Sequence, residues 1–337
     1  VKKQLFAIAG LLAAATVALS GCSGSASASS SGSTTKMVIA EPVHGIGYLP
    51  LYAAIDRGYF SKEGLDVQTT TLTGGAHVNA VLSGNAWGFI GGIESAAIAN
   101  AKGAQLESVA GVVDRANVYW VARKGVTINP NDIAGSLKGL RIAASRHGGS
   151  VEIDTLYELK QLGLDPSKDV KIINNDVSGS ELSLLKSGQA DIAATSEPVL
   201  GQGVSQGVWG EPFVSLPDAL GKFAYSDIVT SKANVKKDPE AVKKFVKALS
   251  QGMDYVISNH DGAEKIAEKE FPNMQPAVIK STLARTYKDK FWDGVDITDA
   301  ALKVDLTVAR AAGLLQDSSN PATAKNILDL SFLPKPQ

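Results

Sequence analysis

The chain has 337 residues, with 33 Lys and Arg against 34 Asp and Glu and a formal net charge of -1. That length accommodates about two units of 100–200 residues, each with a sizeable core. The charge balance excludes the clustered basic footprint of a nucleic-acid binder, and a single cysteine excludes a disulfide framework or a thiolate-rich metal or cluster site.

The chain opens with Lys2 and Lys3, then an apolar stretch from Leu5 to Leu19, then Leu19-Ser20-Gly21-Cys22. Charge, apolar core and small residues in that order read as a secretory signal over residues 1–21. The stretch falls short of the about 20 residues that span a bilayer. Leu-Ser-Gly-Cys resembles a bacterial lipobox, which implies cleavage before Cys22 and acylation of that cysteine. Residues 22–36, mostly Ser, Gly, Ala and Thr, then form a tether, and the remainder is a domain anchored at the outer face of the cell membrane. Ser23, rather than an aspartate after the cysteine, points to a single-membrane envelope, with a periplasmic setting as the alternative.

From residue 37 the chain repeats itself. Met37-Val38-Ile39-Ala40 leads through His44-Gly45-Ile46-Gly47 into helical spacing over Leu49 to Asp56. Leu140-Arg141-Ile142-Ala143-Ala144 leads through His147-Gly148-Gly149 into helical spacing over Val151 to Leu162. A Val- and Thr-rich strand from Val67 to Leu72 and a second from Val170 to Ile173 follow. Each ends in a turn, Gly74-Gly75 and Ser178-Gly179. A short helix then stops at Ser83-Gly84-Asn85-Ala86 or at Ser187-Gly188-Gln189-Ala190. Strands Trp87 to Ile90 and Asp191 to Ala194 follow, and run into helix openings at Gly92-Ile93-Glu94-Ser95 and Ser196-Glu197-Pro198.

Strands alternating with helices predict parallel sheets covered on both faces, hence two α/β lobes. Val118 to Ala122 and Asp227 to Thr230 are strand-like, flank the second copy and read as hinge strands. Lobe 1 is therefore residues 37–123 plus 226–337, and lobe 2 is residues 124–225. The C-terminal part reads as helices packed largely on lobe 1. Asp238-Pro239 starts one, with Val242, Phe245, Val246, Leu249, Met253, Val256 and Ile257 on its apolar face. Asp261 with Glu264 reads as a capping box, and Thr298 caps a last helix that Gly313 ends.

In open α/β sheets ligands sit at the carboxyl ends of the strands, so the glycine loops of the two lobes are expected to face one cleft. Helix openings there suit an anion. They are Gly45, Gly47 and Tyr48; Gly74, Gly75 and His77; Gly92 and Ser95; Gly148 and Ser150; and Ser178. His44, His77 and His147 lie on these loops, to hold an acidic ligand with Arg115 or Arg146, or simply to bond their own backbone. No HxH or HExxH spacing supports a metal, and no metal or cofactor is expected. Tyr48, Trp209 and Tyr225 are candidates to close over a ligand, whereas Trp120 and Trp292 read as core. Glu94 and Glu197 either hold an amine or cap their helices. There is no GxSxG, no phosphate-loop lysine and no GxGxxG, so nothing in the spacing supports catalysis.

Several blocks resemble bacterial nitrate/sulfonate/taurine-type ABC-transporter substrate-binding proteins, a group related to the pyrimidine-precursor binding proteins of thiamine transport. They are Tyr48-Leu49-Pro50-Leu51-Tyr52, Asp56-Arg57-Gly58-Tyr59-Phe60, Glu63-Gly64-Leu65-Asp66-Val67, Leu137-Lys138-Gly139-Leu140-Arg141 and Asp238-Pro239-Glu240. The resemblance implies a two-lobed periplasmic-binding-protein fold of type II with the ligand cleft between lobes. It also implies a monomeric, non-enzymatic solute-binding lipoprotein that delivers a small organic anion, an aliphatic sulfonate or taurine-like solute, to an ABC permease. An aminopyrimidine or other vitamin-like solute is the alternative within the fold. A pyrimidine-synthase-like enzyme of the same fold and a structural or adhesive lipoprotein are the alternatives of other functional classes. The family usually has aspartate where Trp87 stands, so a Trp87 facing the cleft would imply a larger or more aromatic ligand, and a buried one only a packing change.

Overall fold

The computed structural model describes residues 34–177, 179–316 and 324–335. The proposed signal segment and Cys22 lie outside the described residues. Thr35 and Lys36, counted with the tether, instead open the first strand, where Thr35 pairs with Leu65.

The first lobe is built from β1 (Thr35–Glu41), α1 (Leu49–Asp56), α2 (Tyr59–Lys62), β2 (Leu65–Thr71), α3 (Ala76–Leu82), β3 (Gly88–Gly91), α4 (Ile93–Ala101) and β4 (Leu106–Val113). The chain then crosses to β5 (Tyr119–Ala122), α5 (Ile133–Leu137), β6 (Arg141–Ala143), α6 (Ser150–Gln161), β7 (Lys171–Ile173), α7 (Ser180–Lys186), β8 (Ile192–Thr195), α8 (Val199–Ser205), β9 (Val214–Ser215) and α9 (Leu216–Leu220). It returns through β10 (Ser226–Ser231) to α10 (Lys232–Lys237), α11 (Pro239–Ser258), α12 (His260–Glu270), α13 (Pro276–Lys288), α14 (Asp299–Ala311) and α15 (Ala324–Ile327).

The two sheets have the same plan. Their orders are β2-β1-β3-β10-β4 and β7-β6-β8-β5-β9. In each, the fourth strand is antiparallel to the third and is the one the chain enters just after crossing. The first sheet thus receives β10 only after the chain has built the whole second sheet, which ties the halves together topologically. This moves one expected boundary. Tyr119–Ala122, counted in lobe 1, pairs with β8 and β9 in the second sheet, so the first crossing lies between Val113 and Tyr119. Strands β3, β4 and β8 are buried at every residue, as strands covered by helices on both faces must be.

Trp87 sits just before β3, at the end of the strand away from the cleft. Its ring lies 5.0 Å from that of Phe245 on α11. It is a packing residue, and the larger-ligand expectation attached to it does not hold. In lobe 2 the matching Asp191 takes two bonds from the Arg141 guanidinium, at 2.8 and 2.7 Å, and the Arg141 amide at 3.1 Å. Those bonds hold its carboxyl down at about 2. The stabilisation from this depressed group is complete above the unfolded value of about 3.9 and is lost as pH falls towards 2. Asp191→Asn is expected to cost about 1–2 kcal/mol, because the partner guanidinium is partly exposed. Denaturant melts at pH 7 and pH 3 check this: the gap between wild type and variant should close at the lower pH.

The C-terminal helices do not rest on lobe 1 alone. Helix α11 starts as expected, with the Asp238 carboxylate accepting the Ala241 amide at 3.0 Å. It lies tightly on α1, where a Cβ at Gly252 would overlap the Pro50 carbonyl. Ile257, counted on its apolar face, is exposed. The cap of α12 is Asn259, which accepts the Gly262 amide at 2.9 Å, rather than Asp261. Thr298 caps α14. That helix packs on both α4 and α6, with Leu302 and Leu306 in the core of lobe 1 and Val308 in that of lobe 2. Helix α13 lies against α8 of lobe 2 and α12. These two helices bridge the lobes. Among the described residues no helix is long and apolar enough to cross a membrane.

Candidate functional site

The loops at the carboxyl ends of both sheets enclose a cavity of about 370 Å³, in the range of small-molecule sites. Lobe 1 contributes His44, Gly45, Gly47, Tyr48, Thr73, His77, Gly92, Ser95 and Ser226. Lobe 2 contributes Ser145, Arg146, Ser150, Asp176, Glu181, Glu197 and Gln202. Tyr225 lies at the return crossing, and Phe271 and Met274 after α12. The expected residues His44, Gly45, Gly47, Tyr48, His77, Gly92, Ser95, Arg146, Ser150 and Glu197 therefore meet in one place. Gly74 and Gly75 do not line it, because the residue of their turn that does is Thr73. Ser178 lies outside the described residues. Trp209 does not close over the cleft: it is buried, donates its indole N–H to the Leu200 carbonyl at 2.9 Å, and fills the space a side chain at Gly203 would need.

The histidines part company. His44 is held by Glu41, with Nδ1 to Oε1 at 3.0 Å, stacks on Tyr52 at 4.6 Å and meets the tilted ring of Phe271 at 4.9 Å. Glu41 is buried and also accepts from Tyr52 at 2.6 Å and Thr71 at 2.8 Å. The hydrogen bond to Glu41 raises the His44 pKa despite burial. A raised imidazole contributes stability that is complete below about pH 6.5 and is lost as pH rises through the folded value. The melting-temperature gap between wild type and His44→Gln should therefore be widest near pH 6 and shrink towards pH 9. A constant gap would show that the charge on His44 is irrelevant.

His77 is buried at 1 % exposure, and burial pulls its pKa down to about 4, so it is neutral at physiological pH. His147 points out to solvent, with Nδ1 3.0 Å from Glu152. It is not a cleft residue, and neither is its neighbour Gly148, whose amide Glu152 accepts at 2.6 Å.

The helix openings are less free than glycine-rich loops suggested. Glu94 is buried behind the cleft, beneath Gly92, and its carboxylate turns back on its own amide and that of Ser95. It also accepts the Ser150 hydroxyl of the opposite lobe at 2.6 Å. Glu94 thus caps α4 and latches the lobes, and is not a ligand group. Glu152 occupies the opening of α6 in the same way. Glu197 is spent on structure as well: it accepts from Arg285 at 3.0 Å, Thr282 at 2.9 Å and the Gly201 amide at 3.1 Å.

Two arginines were candidates. Arg115 bonds its neighbour's carbonyl at 2.8 Å and does not line the cavity. Arg146 does, and among the described residues no carboxylate stands within ion-pair distance of it. Gly149 makes room for it, since a Cβ there would come within 2.9 Å of Arg146 Cγ. The preceding Ser145 holds a left-handed φ of 58°, secured by the Asn175 amide on its carbonyl at 2.9 Å. Non-glycine residues in that region are uncommon and concentrate at ligand-holding loops. Arg146 is close enough to His77, Tyr48 and Glu94 to influence them electrostatically, so its charge acts across the cleft on lobe 1.

Sequence reasoning missed Asn117, Glu181, Gln202, Ser226, Phe271 and Met274. Phe271 and Met274 carry no glycine-loop signal. Glu181 does carry one, because Gly179-Ser180-Glu181 repeats the Gly92-Ile93-Glu94 spacing. No group of three or more His, Cys, Asp or Glu suited to a metal ion occurs among the described residues.

Comparison with known proteins gives a family. Residues 46–263 match the family model described as NMT1/THI5 like. The chain is 28% identical to YtlA of Bacillus subtilis over 75% of its own length and 76% of that protein's. It is 24% identical to the 4-amino-5-hydroxymethyl-2-methylpyrimidine phosphate synthase THI11 of Saccharomyces cerevisiae over 72% of this chain and 71% of that one. The alkanesulfonate-binding protein SsuA of Xanthomonas axonopodis pv. citri, solved bound to MOPS, superposes with a TM-score of 0.71 at 18% identity, covering 86% of this chain and 98% of that chain. The architecture is that of the two-lobed periplasmic binding proteins.

Proposed function

The chain belongs to the NMT1/THI5-like family, and on that premise we propose that it is the solute-binding component of an ABC importer. It captures a small organic solute with an acidic head, an aliphatic sulfonate in first place, and hands it to a membrane permease. The observation that carries this reading is Arg146, a guanidinium in a cleft between two lobes with no carboxylate partner among the described residues. A planar fork of donors left free in a concave site is suited to an oxyanion. Phe271, Met274 and Val43 give the same cavity an apolar side for the rest of the solute. Anchoring through an acylated Cys22 belongs to the same proposal, since an importer component works beside its permease.

A second reading, an aminopyrimidine vitamin precursor, draws support from the likeness to the yeast pyrimidine synthase and from Tyr48 and Tyr225 in the cleft. The roles it gave Glu94 and Glu197 are not available, because both carboxylates are engaged. Native mass spectrometry of gently purified protein is the test. A retained sulfonate or other acidic solute supports the first reading, and a retained uncharged pyrimidine replaces it with the second.

A further inference from the structure

Five buried glutamates surround the cleft loops: Glu41, Glu94, Glu152, Glu181 and Glu197. In a folded protein a buried carboxylate oxygen is nearly always bonded, and leaving one bare costs its desolvation. Four of the five obey this. Glu41 accepts from Tyr52, Thr71 and His44. Glu94 accepts from Ser150 and its own helix opening. Glu152 accepts from Gly148 and His147, and Glu197 from Arg285, Thr282 and Gly201.

Glu181 is the exception. It lines the cavity from lobe 2 and is 4 % exposed. Its Oε1 accepts the Thr195 hydroxyl at 2.7 Å and the carboxylate also leans on its own amide, while Oε2 meets no donor from any other described residue. Among the described residues, one other side-chain atom left bare in this way belongs to a residue lining the cavity: Nδ1 of His77, on the lobe 1 wall.

We propose that Glu181 is a second recognition pole of the cleft, which selects solutes carrying an N–H donor, an amine or amino substituent, in addition to the acidic head that meets Arg146. The inference rests on the reading of Arg146 given above. A donor from the solute completes Oε2 on closure, and His77 Nδ1, neutral in either tautomer, completes the opposite wall. The preferred solute is then an amino-substituted anion or an aminopyrimidine carrying an acidic group. A simple alkane sulfonate leaves Oε2 bare and binds more weakly. Burial also holds the Glu181 carboxyl above the usual range, which a cationic amine beside it reverses.

The test is calorimetric titration with matched pairs: taurine against ethanesulfonate, and 4-amino-5-hydroxymethyl-2-methylpyrimidine phosphate against its counterpart lacking the amino group. At least one pair is expected to show a tenfold or greater preference for the amino member. Glu181→Gln should narrow that preference below threefold while changing affinity for the other member little. Arg146→Gln should weaken both members and leave the preference. Equal weakening of both members by Glu181→Gln, or no preference in wild type, overturns the proposal and leaves the Arg146 reading standing. Undiminished affinity in Arg146→Gln overturns that reading instead. If neither pair binds, the solute retained through purification decides: a molecule with an N–H donor supports the second pole, and one without overturns it.

Discussion

Arg146→Ala is expected to weaken solute binding by about 10- to 100-fold while moving the melting temperature of the unliganded protein little. The reasoning is one of unequal loss. A hydrogen bond to a charged group contributes about 1.5–3 kcal/mol, and each 1.4 kcal/mol is tenfold in affinity. Inside the apo protein, Arg146 has no ion-pair partner among the described residues to lose. Its removal also relieves His77 and Tyr48 of a nearby positive charge, so the His77 pKa should rise from its low value. Arg115→Ala is the control. Arg115 is spent on a backbone carbonyl and should leave affinity unchanged. Titration calorimetry of the two variants with the retained solute separates them. A larger loss at Arg115 than at Arg146 would place the anion elsewhere.

That contrast marks how far the sequence reaches. The two glycine-loop copies predicted two lobes with matching sheets, and positive φ at Gly84 and Gly188 explains why those landmarks recur. Only glycine closes such a turn without strain, so the turn is written in residue type. Membership of a sheet is not written that way. Tyr119–Ala122 reads as a strand from its own residues, but pairing with β8 across many intervening residues decides which lobe owns it. The same holds for α14, whose periodicity predicts an apolar face without saying that it rests on α4 and α6 together.

The cleft was legible to a similar depth. Helix openings were located correctly, and His44, Tyr48, His77 and Arg146 converge on the cavity. Whether an opening is free was not legible. A glutamate in the first turn can reach outward or fold back on its own amides, and Glu94 and Glu152 fold back. The anion-binding capacity assigned to five openings is thereby much reduced, and a single guanidinium carries most of the burden. Arg115 and Arg146 each follow a strand by a few residues, and only the left-handed Ser145 and the bare Cα of Gly149 turn the second into the cavity.

Glu197 makes the sharpest case for separating stability from recognition. Glu197→Ala is expected to cost about 3–5 kcal/mol, the penalty of breaking a buried pair and stranding its partner. That corresponds to a fall on the order of 10 °C in melting temperature for a chain of this size. Burial pushes the Glu197 carboxyl up more than Arg285 pulls it down, which is the balance of a group retained for position rather than for net charge stabilisation. The bonds it makes have a geometric purpose. Arg285 and Thr282 belong to α13, which packs on α8 of lobe 2 and on α12. Tyr287, on the same helix, donates to the Val256 carbonyl of α11 at 2.8 Å. Glu197 therefore fastens lobe 2 to the helices that cover lobe 1. Glu197→Gln can keep its one acceptor oxygen on Thr282 and Gly201 and loses the charge and the acceptor that meets Arg285, so its melting temperature should fall between those of wild type and alanine variant. Affinity for the retained solute, measured well below either transition, should stay within about threefold of wild type in Glu197→Gln, since a shift of that size is under 1 kcal/mol. A variant that keeps its melting temperature and loses the solute would return Glu197 to the list of ligand groups and remove the clamp from this account of the lobe junction.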